Sequence, residues 1–331
     1  MKLFITGAAG YIGGTFSLEA VNRDFDVYAC DNFSNSSPHK IKILEQLAPK
    51  NYQFKKIDIL DTPALSKTLK KFQPDIVIHF AALKSVNDSE ANKEKYIKNN
   101  VNGTLSLISA MKEANVDKII YSSSAAIYGN QLIQPVSELV EPKPISVYAN
   151  TKLEAENIIC AASQDSALNA LSLRYFNPLG AHKEQIFYED YTNSECNVLG
   201  KLARAYFGLD DYFKLFGDDF STYDGTGIRD YIHIDDLVEG HFNAIEYLVS
   251  FNGYDVFNLG TNSGVSVRSL ISQFSEIVHK NIKVKILKKR PFDISASYAD
   301  SNKSNRILRW KAKKGIKDMC RSYMKVFQND F

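Results

Sequence analysis

The sequence predicts an α/β protein: a doubly wound parallel sheet followed by a smaller C-terminal α/β region. Three observations predict it. Short apolar runs of strand length alternate with longer amphipathic runs through the first two-thirds of the chain. Gly7, Gly10 and Gly13 sit directly between the first strand-like run and the first helix-like run. After Asn177 the texture changes, with fewer buried strands and more Asp, Tyr, Asn and Gly. Strands alternating with helices give right-handed βαβ units on a parallel sheet.

Each element follows from its pattern. Residues 2–6 (KLFIT) form a first strand, and a helix runs over 11–23. Strands are expected at 27–30 and 52–57, then a helix over 63–71. The run 76–80 (IVIHF) is a short buried strand, followed by a helix over 99–113 and a strand over 118–122. The stretch 148–162, rich in Ala, Glu, Lys and Ile, is a helix, and 168–175 a further strand. Helices are expected at 235–249 and 266–279, with a strand at 284–287. Residues 254–259 are expected to return to the main sheet. The division is therefore 1–176, with segments near 230–262 returning to it, and 177–331.

Composition narrows the function. The 331 residues are 44% hydrophobic and 24% charged, ordinary for a globular protein and unlike disordered or collagenous chains. A net charge of +2 implies no long-range field and no dedicated nucleic-acid partner. The basic stretches 283–290 and 306–317 read as solvated surface. Cys30, Cys160, Cys196 and Cys320 are far apart, without a CxxC pair or Cys/His cluster. This argues against a metal site and a disulfide framework, and for a reducing, cytoplasmic setting. No run of about 18 apolar residues occurs, so no membrane span is expected, and the glycine-broken opening is not a signal peptide.

The glycines carry the first chemistry. A tight turn needs positive φ, a pyrophosphate needs missing side chains, and a helix N-terminus offers N–H donors and a positive dipole. Asp31 ends the second strand, 18 residues beyond Gly13. A carboxylate there accepts from ribose hydroxyls and repels a 2′-phosphate, which favours NAD over NADP on a Rossmann-type sheet. Asp58, ending the third strand, is placed either to meet the adenine amino group or to cap a loop.

Tyr148 and Lys152 lie four apart in YANTK and share a helix face. A phenol of pKa about 10 is a poor base near neutrality. Bringing it to about 7 takes roughly 4 kcal/mol of differential stabilisation, which a nearby ammonium and an oxidised nicotinamide can supply. Ser124 ends a strand in YSSSAAIYG and is placed to relay a proton between substrate and Tyr148.

With these residues in place, the chain resembles the extended short-chain dehydrogenase/reductase superfamily, and within it the UDP-glucose (UDP-galactose) 4-epimerases. The matching stretches are GAAGYIGG, DNFSNS, VIHFAALKSV, NNVNGT, SSSAAIYG, YANTK, RYFNPLGAH, DGTGIRDYIHIDDL and FNLGT. Related 4,6-dehydratases carry an acidic pair after the Ser/Thr. Here those positions are Ala125 and Ala126, so elimination lacks its acid and base.

The resemblance implies a mechanism and a site. Tyr148 as phenolate removes the O4 proton, hydride passes between C4 and NAD, and the 4-keto sugar turns over before hydride returns. Ser124, Tyr148 and Lys152 are the implied catalytic residues. The implied cofactor set is Gly7, Gly10, Tyr11, Ile12, Gly13, Asp31, Asn32, Asp58, Ile59, Phe80, Ala81, Ala82, Lys84, Asn99, Ser122, Tyr175 and Phe176, with Tyr148 and Lys152. Lys84 is expected at the pyrophosphate and the substrate. Asn177, Asn197, Val198, Leu199, Lys214 and Phe216 are expected around UDP. Arg229 and Arg290 are expected on its diphosphate, and Asp293 on its ribose. A homodimer built from the helices 99–113 and 148–162 is also implied.

Three departures from the family pattern stand out. Cys196 replaces the first of two asparagines, and Phe292 replaces a glycine. Ser297 stands where glucose- and galactose-restricted members carry tyrosine, leaving room for a 2-acetamido group. The sequence therefore predicts use of UDP-GlcNAc and UDP-GalNAc beside UDP-Glc and UDP-Gal, unless Tyr298 refills the space. Two alternatives are a polyprenyl-diphosphate-linked N-acetylhexosamine as substrate and a catalytically idle NAD-binding regulator.

Overall fold

A computed structural model describes residues 1–48, 50–165, 167–192 and 196–327. In chain order the strands are β1 (Lys2–Thr6), β2 (Asp26–Asp31), β3 (Tyr52–Lys56), β4 (Ile76–His79), β5 (Lys118–Ser124), β6 (Asn169–Tyr175), β7 (Asn177–Leu179), β8 (Phe213–Phe216), β9 (Ile228–Arg229), β10 (Tyr231–His233), β11 (Tyr254–Leu259), β12 (Val265–Ser266), β13 (Val284–Leu287) and β14 (Ala296–Ser297). The helices are α1 (Tyr11–Asn22), α2 (His39–Leu47), α3 (Thr62–Phe72), α4 (Val86–Ala91), α5 (Lys93–Tyr96), α6 (Gly103–Ala114), α7 (Val147–Asp165), α8 (Val198–Tyr206), α9 (Ile234–Ser250), α10 (Val267–Ile277), α11 (Asn302–Leu308) and α12 (Ile316–Lys325).

The chain divides into two compact units: residues 1–127, 144–174 and 238–257 form the first, and 128–143, 175–237 and 258–331 the second. After residue 174 the chain passes into the second unit, and 238–257 belongs to the first. Residues 128–143 leave the first unit early, which their position in the sequence does not announce.

The first unit is organised by a seven-stranded sheet of order β11–β6–β5–β4–β1–β2–β3. The pairs β2–β3, β1–β2, β1–β4 and β4–β5 are parallel. The bonds from Ala170 N to Gly253 O and from Phe176 N to Leu259 O join start to start and end to end, so β6 and β11 are parallel too. The order reverses between β1 and β4, the switch point outside whose carboxyl ends such sheets bind ligands. Buried Phe4, Val77, Ile119, Leu107, Met111, Ala155 and Ile159 tie sheet and helices into one core.

Helices α2, α4, α5, α8, α11 and α12 were not expected, nor was the π turn ahead of α6. In α2 only Ile41 and Leu44 are buried, so its apolar face is short. The helix expected from residue 99 begins with a π turn, Ile97–Asn102, before the regular α6. π turns inside helices concentrate at functional sites, and this one carries Asn100, described below.

The second unit is built from small sheets. β7 pairs with β10 in parallel, β13 with β8 in parallel, and β9 lies between β12 and β14. Its core gathers Leu199, Leu202, Phe213, Leu215, Phe274, Met319 and Tyr323.

Candidate active site

The glycine loop at the end of β1 meets three different demands. Gly7 has φ +73°, and a Cβ there would lie 2.6 Å from Ala81 N, in the chain leaving β4. A Cβ at Gly13 would lie 2.3 Å from Gly7 O. Both positions are fixed by the protein's own packing. Gly10 is different: its Cβ would meet protein only at 3.4 Å, from Gly7 O. Gly10 is also the N-cap of α1, without a side-chain cap and without an acid in the first turn. An uncapped helix start behind a bare backbone fits the pyrophosphate of a dinucleotide. Tyr11 and Ile12, in that first turn, are half-buried.

Asp31 holds this loop in place. Its Oδ2 accepts from Ala9 N at 3.0 Å, and its Oδ1 from Phe33 N at 2.8 Å and Ser36 Oγ at 2.9 Å. A carboxylate has about four acceptor sites. Three are used, so Asp31 has room for one ribose hydroxyl and takes a second only by releasing a partner. Asp58 accepts from Leu60 N and from Asn32 Nδ2, both at 2.9 Å. It caps its loop and has acceptor capacity left over. Ile59 is buried.

The chain after β4 carries Phe80, Ala81, Ala82 and Lys84. Phe80 packs its ring on Phe16 and His241, and Ala81 N donates to Thr6 Oγ1 at 3.3 Å. Lys84 is exposed. Asn100, a residue the sequence reading passed over, fixes this segment. Its Oδ1 accepts from Leu83 N at 2.8 Å and from Asn99 Nδ2 at 3.0 Å. Its Nδ2 donates to Leu83 O at 3.0 Å and to Thr151 Oγ1 at 3.1 Å. One buried amide thereby joins the loop after β4, the π turn and the catalytic helix α7. The run NNVN in the sequence was the available signal.

His79 was also passed over. It is fully buried, with Nδ1 2.7 Å from Thr6 Oγ1 and Nε2 3.1 Å from Thr104 Oγ1. Burial, with a smaller contribution from Lys152, pushes its pKa down to about 3, so it is a neutral strut between β4, β1 and α6.

Ser124, Tyr148 and Lys152 converge. β5 runs two residues further than expected and delivers Ser124 at its end. The start of α7 is held by α4: Tyr148 N donates to Ser89 Oγ at 3.1 Å and Val147 N to Glu90 Oε1 at 2.8 Å. Tyr148 is half-buried and close enough to the Ser124 side chain to be influenced by it. Burial raises the phenol's pKa and Ser124 lowers it. Lys152 is buried; its Nζ donates to Ser122 O at 2.6 Å and lies 4.9 Å from the centre of the Tyr121 ring. Burial pulls the ammonium's pKa down to about 7, against the raising effect of Glu156. The sequence reading had Lys152 lowering the Tyr148 pKa. In this chain burial raises the Tyr148 pKa, with Ser124 opposing it, and the lysine ammonium is directed at the Ser122 carbonyl.

The second unit holds the other predicted residues. Asn197 is the N-cap of α8, accepting from Leu199 N and Gly200 N at 3.1 Å each, with Val198 and Leu199 in the first turn. Arg290 forms a bidentate pair with Asp293, Nε to Oδ2 at 2.8 Å and Nη2 to Oδ1 at 2.7 Å, and stacks 4.7 Å over Phe216. These two residues, expected at separate points of one ligand, satisfy each other. Arg229 is close enough to Asp293 and Arg290 to feel both charges, and burial lowers its pKa. Lys214 lies exposed on β8 beside Phe216. Tyr175 and Phe176 are buried.

Asp230 organises this region and was not singled out from the sequence, although it stands in DGTGIRDYIH. Its fully buried carboxylate accepts from Thr261 N at 2.9 Å, Thr261 Oγ1 at 2.6 Å and Ala299 N at 3.1 Å. Its backbone binds Ser297 O and accepts from both Asn177 N and Asn177 Nδ2. Ser297 pairs with Arg229 in register. Successive strand side chains face opposite ways, and the Tyr298 ring lies against Gly264, where a Cβ would be 2.9 Å from its Cδ1.

Comparisons with known proteins give the family. Residues 3–260 match the NAD dependent epimerase/dehydratase family. A UDP-glucose 4-epimerase of Bacillus subtilis is 37% identical over 321 residues, covering 97% of this chain and 95% of that protein. A UDP-glucose-4-epimerase structure from Stenotrophomonas maltophila, with bound NAD and formylated UDP-arabinopyranose, superposes with a TM-score of 0.95 at 34% identity, covering 100% of this chain and 98% of the other. The UDP-Glc/GlcNAc 4-epimerase from Campylobacter jejuni superposes with a TM-score of 0.84 at 32% identity, covering 99% of each chain.

The chain belongs to the NAD dependent epimerase/dehydratase family, on its UDP-glucose 4-epimerase branch. It is an enzyme of the isomerase class, and its cofactor is NAD. The relatives do not favour the lipid-linked substrate or the idle regulator. Among the described residues, no helix is long and apolar enough to cross a membrane.

Proposed function

We propose that the protein interconverts the C4 epimers of a UDP-hexose through a 4-keto sugar. The observation that carries this is the meeting of Ser124, Tyr148 and Lys152 at the end of β5 and the start of α7, beside a glycine loop that fits a dinucleotide. The glycine loop and Asp31 would hold NAD, which would supply the acceptor and donor of the C4 hydride. Tyr148 takes the O4 proton and later returns it to the other epimer. Ser124 holds that hydroxyl and passes the proton. Lys152 holds positive charge beside the phenolate. Asn177, Asn197, Arg229 and Arg290 are proposed to keep the UDP end anchored while the sugar turns. The alanines after Ser124 supply no acid for elimination, which leaves return of the hydride as the outcome.

The site also accepts 2-acetamido sugars in this reading. The small Ser297 side chain, with Tyr298 packed on Gly264, supports it, and the Campylobacter jejuni relative is described as acting on both kinds of sugar. The working form is a homodimer joined through α6 and α7, in the cytoplasm. Proton NMR of the purified protein with UDP-galactose, and separately with UDP-GalNAc, tests the reading. Conversion of both to equilibrium mixtures is expected. Conversion of UDP-galactose alone removes the acetamido claim, and conversion of neither with NAD added contradicts the whole reading.

A further inference from the structure

Glu156 lies one turn beyond Lys152 and two beyond Tyr148 on α7, so the three share a face. It is 2% exposed, and its partner Arg174, in β6, is 6% exposed. Arg174 Nε reaches Oε1 at 3.1 Å and Nη2 reaches Oε2 at 2.8 Å. A buried ion pair of this kind seldom adds net stability, because desolvation cancels most of the attraction, and apolar replacements of equal volume do as well or better. Packing alone therefore does not explain two charges at this depth.

We propose that the Glu156–Arg174 pair is a positioning device for the catalytic lysine: Arg174 fixes the Glu156 side chain in place on α7, and Glu156 holds Lys152 as an ammonium. The inference rests on the reading above, in which Lys152 acts charged. The groups around it are few. Lys152 faces the Ser122 carbonyl and the Tyr121 ring from β5, and His79 from β4, which is neutral. Glu156 faces Arg174 from β6, and the Tyr254 hydroxyl of β11 lies in its field, hydrogen-bonded to Ser172 Oγ at 3.0 Å. Cys160, one turn further along α7, feels the same carboxylate. Among the described residues, Glu156 is the acid whose charge supports the Lys152 ammonium, whose pKa is about 7 even with that support. Removing the carboxylate lowers it further and discharges the lysine near neutral pH.

The test is the pH dependence of kcat for UDP-galactose epimerisation, measured on holoenzyme as wild type, Glu156→Gln and the double variant Glu156→Gln/Arg174→Met. The inference predicts that the alkaline limb, where Lys152 loses its proton, moves down by about one pH unit in Glu156→Gln, with a small change in KM. It predicts the same displaced limb in the double variant, which buries no unpaired arginine and so keeps its fold. An unchanged limb in a folded double variant overturns the inference, as does a loss of kcat that is uniform across pH. Lys152→Ala separates the two levels: if it remains as active as wild type, the reading of Lys152 fails, and if it is inactive while the limb stays fixed, only the role of Glu156 fails.

Discussion

The ammonium of Lys152 donates a 2.6 Å hydrogen bond to the carbonyl oxygen of Ser122, two residues before the Ser124 side chain that meets Tyr148. β5 and α7 are thus joined at two levels, one backbone and one side chain. The first fixes where the helix lies against the sheet end, and the second places the phenol over the strand's last hydroxyl. Both depend on β5 continuing through Ser124.

The chemistry is expected to depend on the phenol. Tyr148→Phe removes the phenolic oxygen that takes up the O4 proton and leaves the ring's packing. Epimerase kcat is expected to fall by about 10²–10⁴-fold, with NAD still present in the purified protein. Initial rates and cofactor release on denaturation measure the two together.

The three loop glycines are expected to separate fold from cofactor binding. Gly7→Ala forces a side chain into positive φ and against Ala81 N, so it is expected to destabilise the protein by about 1–3 kcal/mol. Gly10→Val adds a side chain where the protein leaves space, so stability is expected to hold while NAD affinity falls. Thermal melts with and without added NAD distinguish the two.

His79 sets an acid limit on stability. Its folded pKa of about 3 lies below the ordinary value of 6.5, so the unfolded chain binds the proton first. Its contribution is complete above about pH 6.5 and is lost as pH falls toward 3. Between pH 7 and 4.5 the loss is expected to be on the order of 3 kcal/mol. Urea unfolding of wild type and His79→Asn over that range checks it. The variant is expected to be less stable at pH 7 and flatter below it.

Ser297→Tyr is expected to abolish conversion of UDP-GalNAc while UDP-galactose conversion stays within about threefold, since a bulky side chain excludes the acetamido group and a plain hydroxyl fits beside it. Specificity constants for the two substrates decide it. Equal losses on both would show that residue 297 does not read C2.

Much of the fold was legible because it follows from local rules. The strand at residues 2–6, the turn at Gly7, and the serine, tyrosine and lysine needed only a period of two, a period near 3.6 and the demands of phosphate and phenolate. What escaped was long-range. Asn100 sits in an ordinary polar run, and only the fold brings it to Leu83 and Thr151. Asp230 gathers its donors from Thr261 and Ala299, 31 and 69 residues away. Arg290 and Asp293 were read as separate ligand contacts, and their spacing of three, which lets them pair with each other, carried no weight beside the family pattern. The direction for Tyr148 was likewise out of reach, because burial is a property of the folded chain.

The central claim is that hydride leaves C4 and returns to the same carbon without meeting solvent. UDP-galactose deuterated at C4, converted in ordinary water and followed by NMR and mass spectrometry, tests it most directly. The account predicts UDP-glucose that keeps its deuterium at C4, with Tyr148 exchanging only the O4 proton. Product carrying solvent hydrogen at C4 would contradict it.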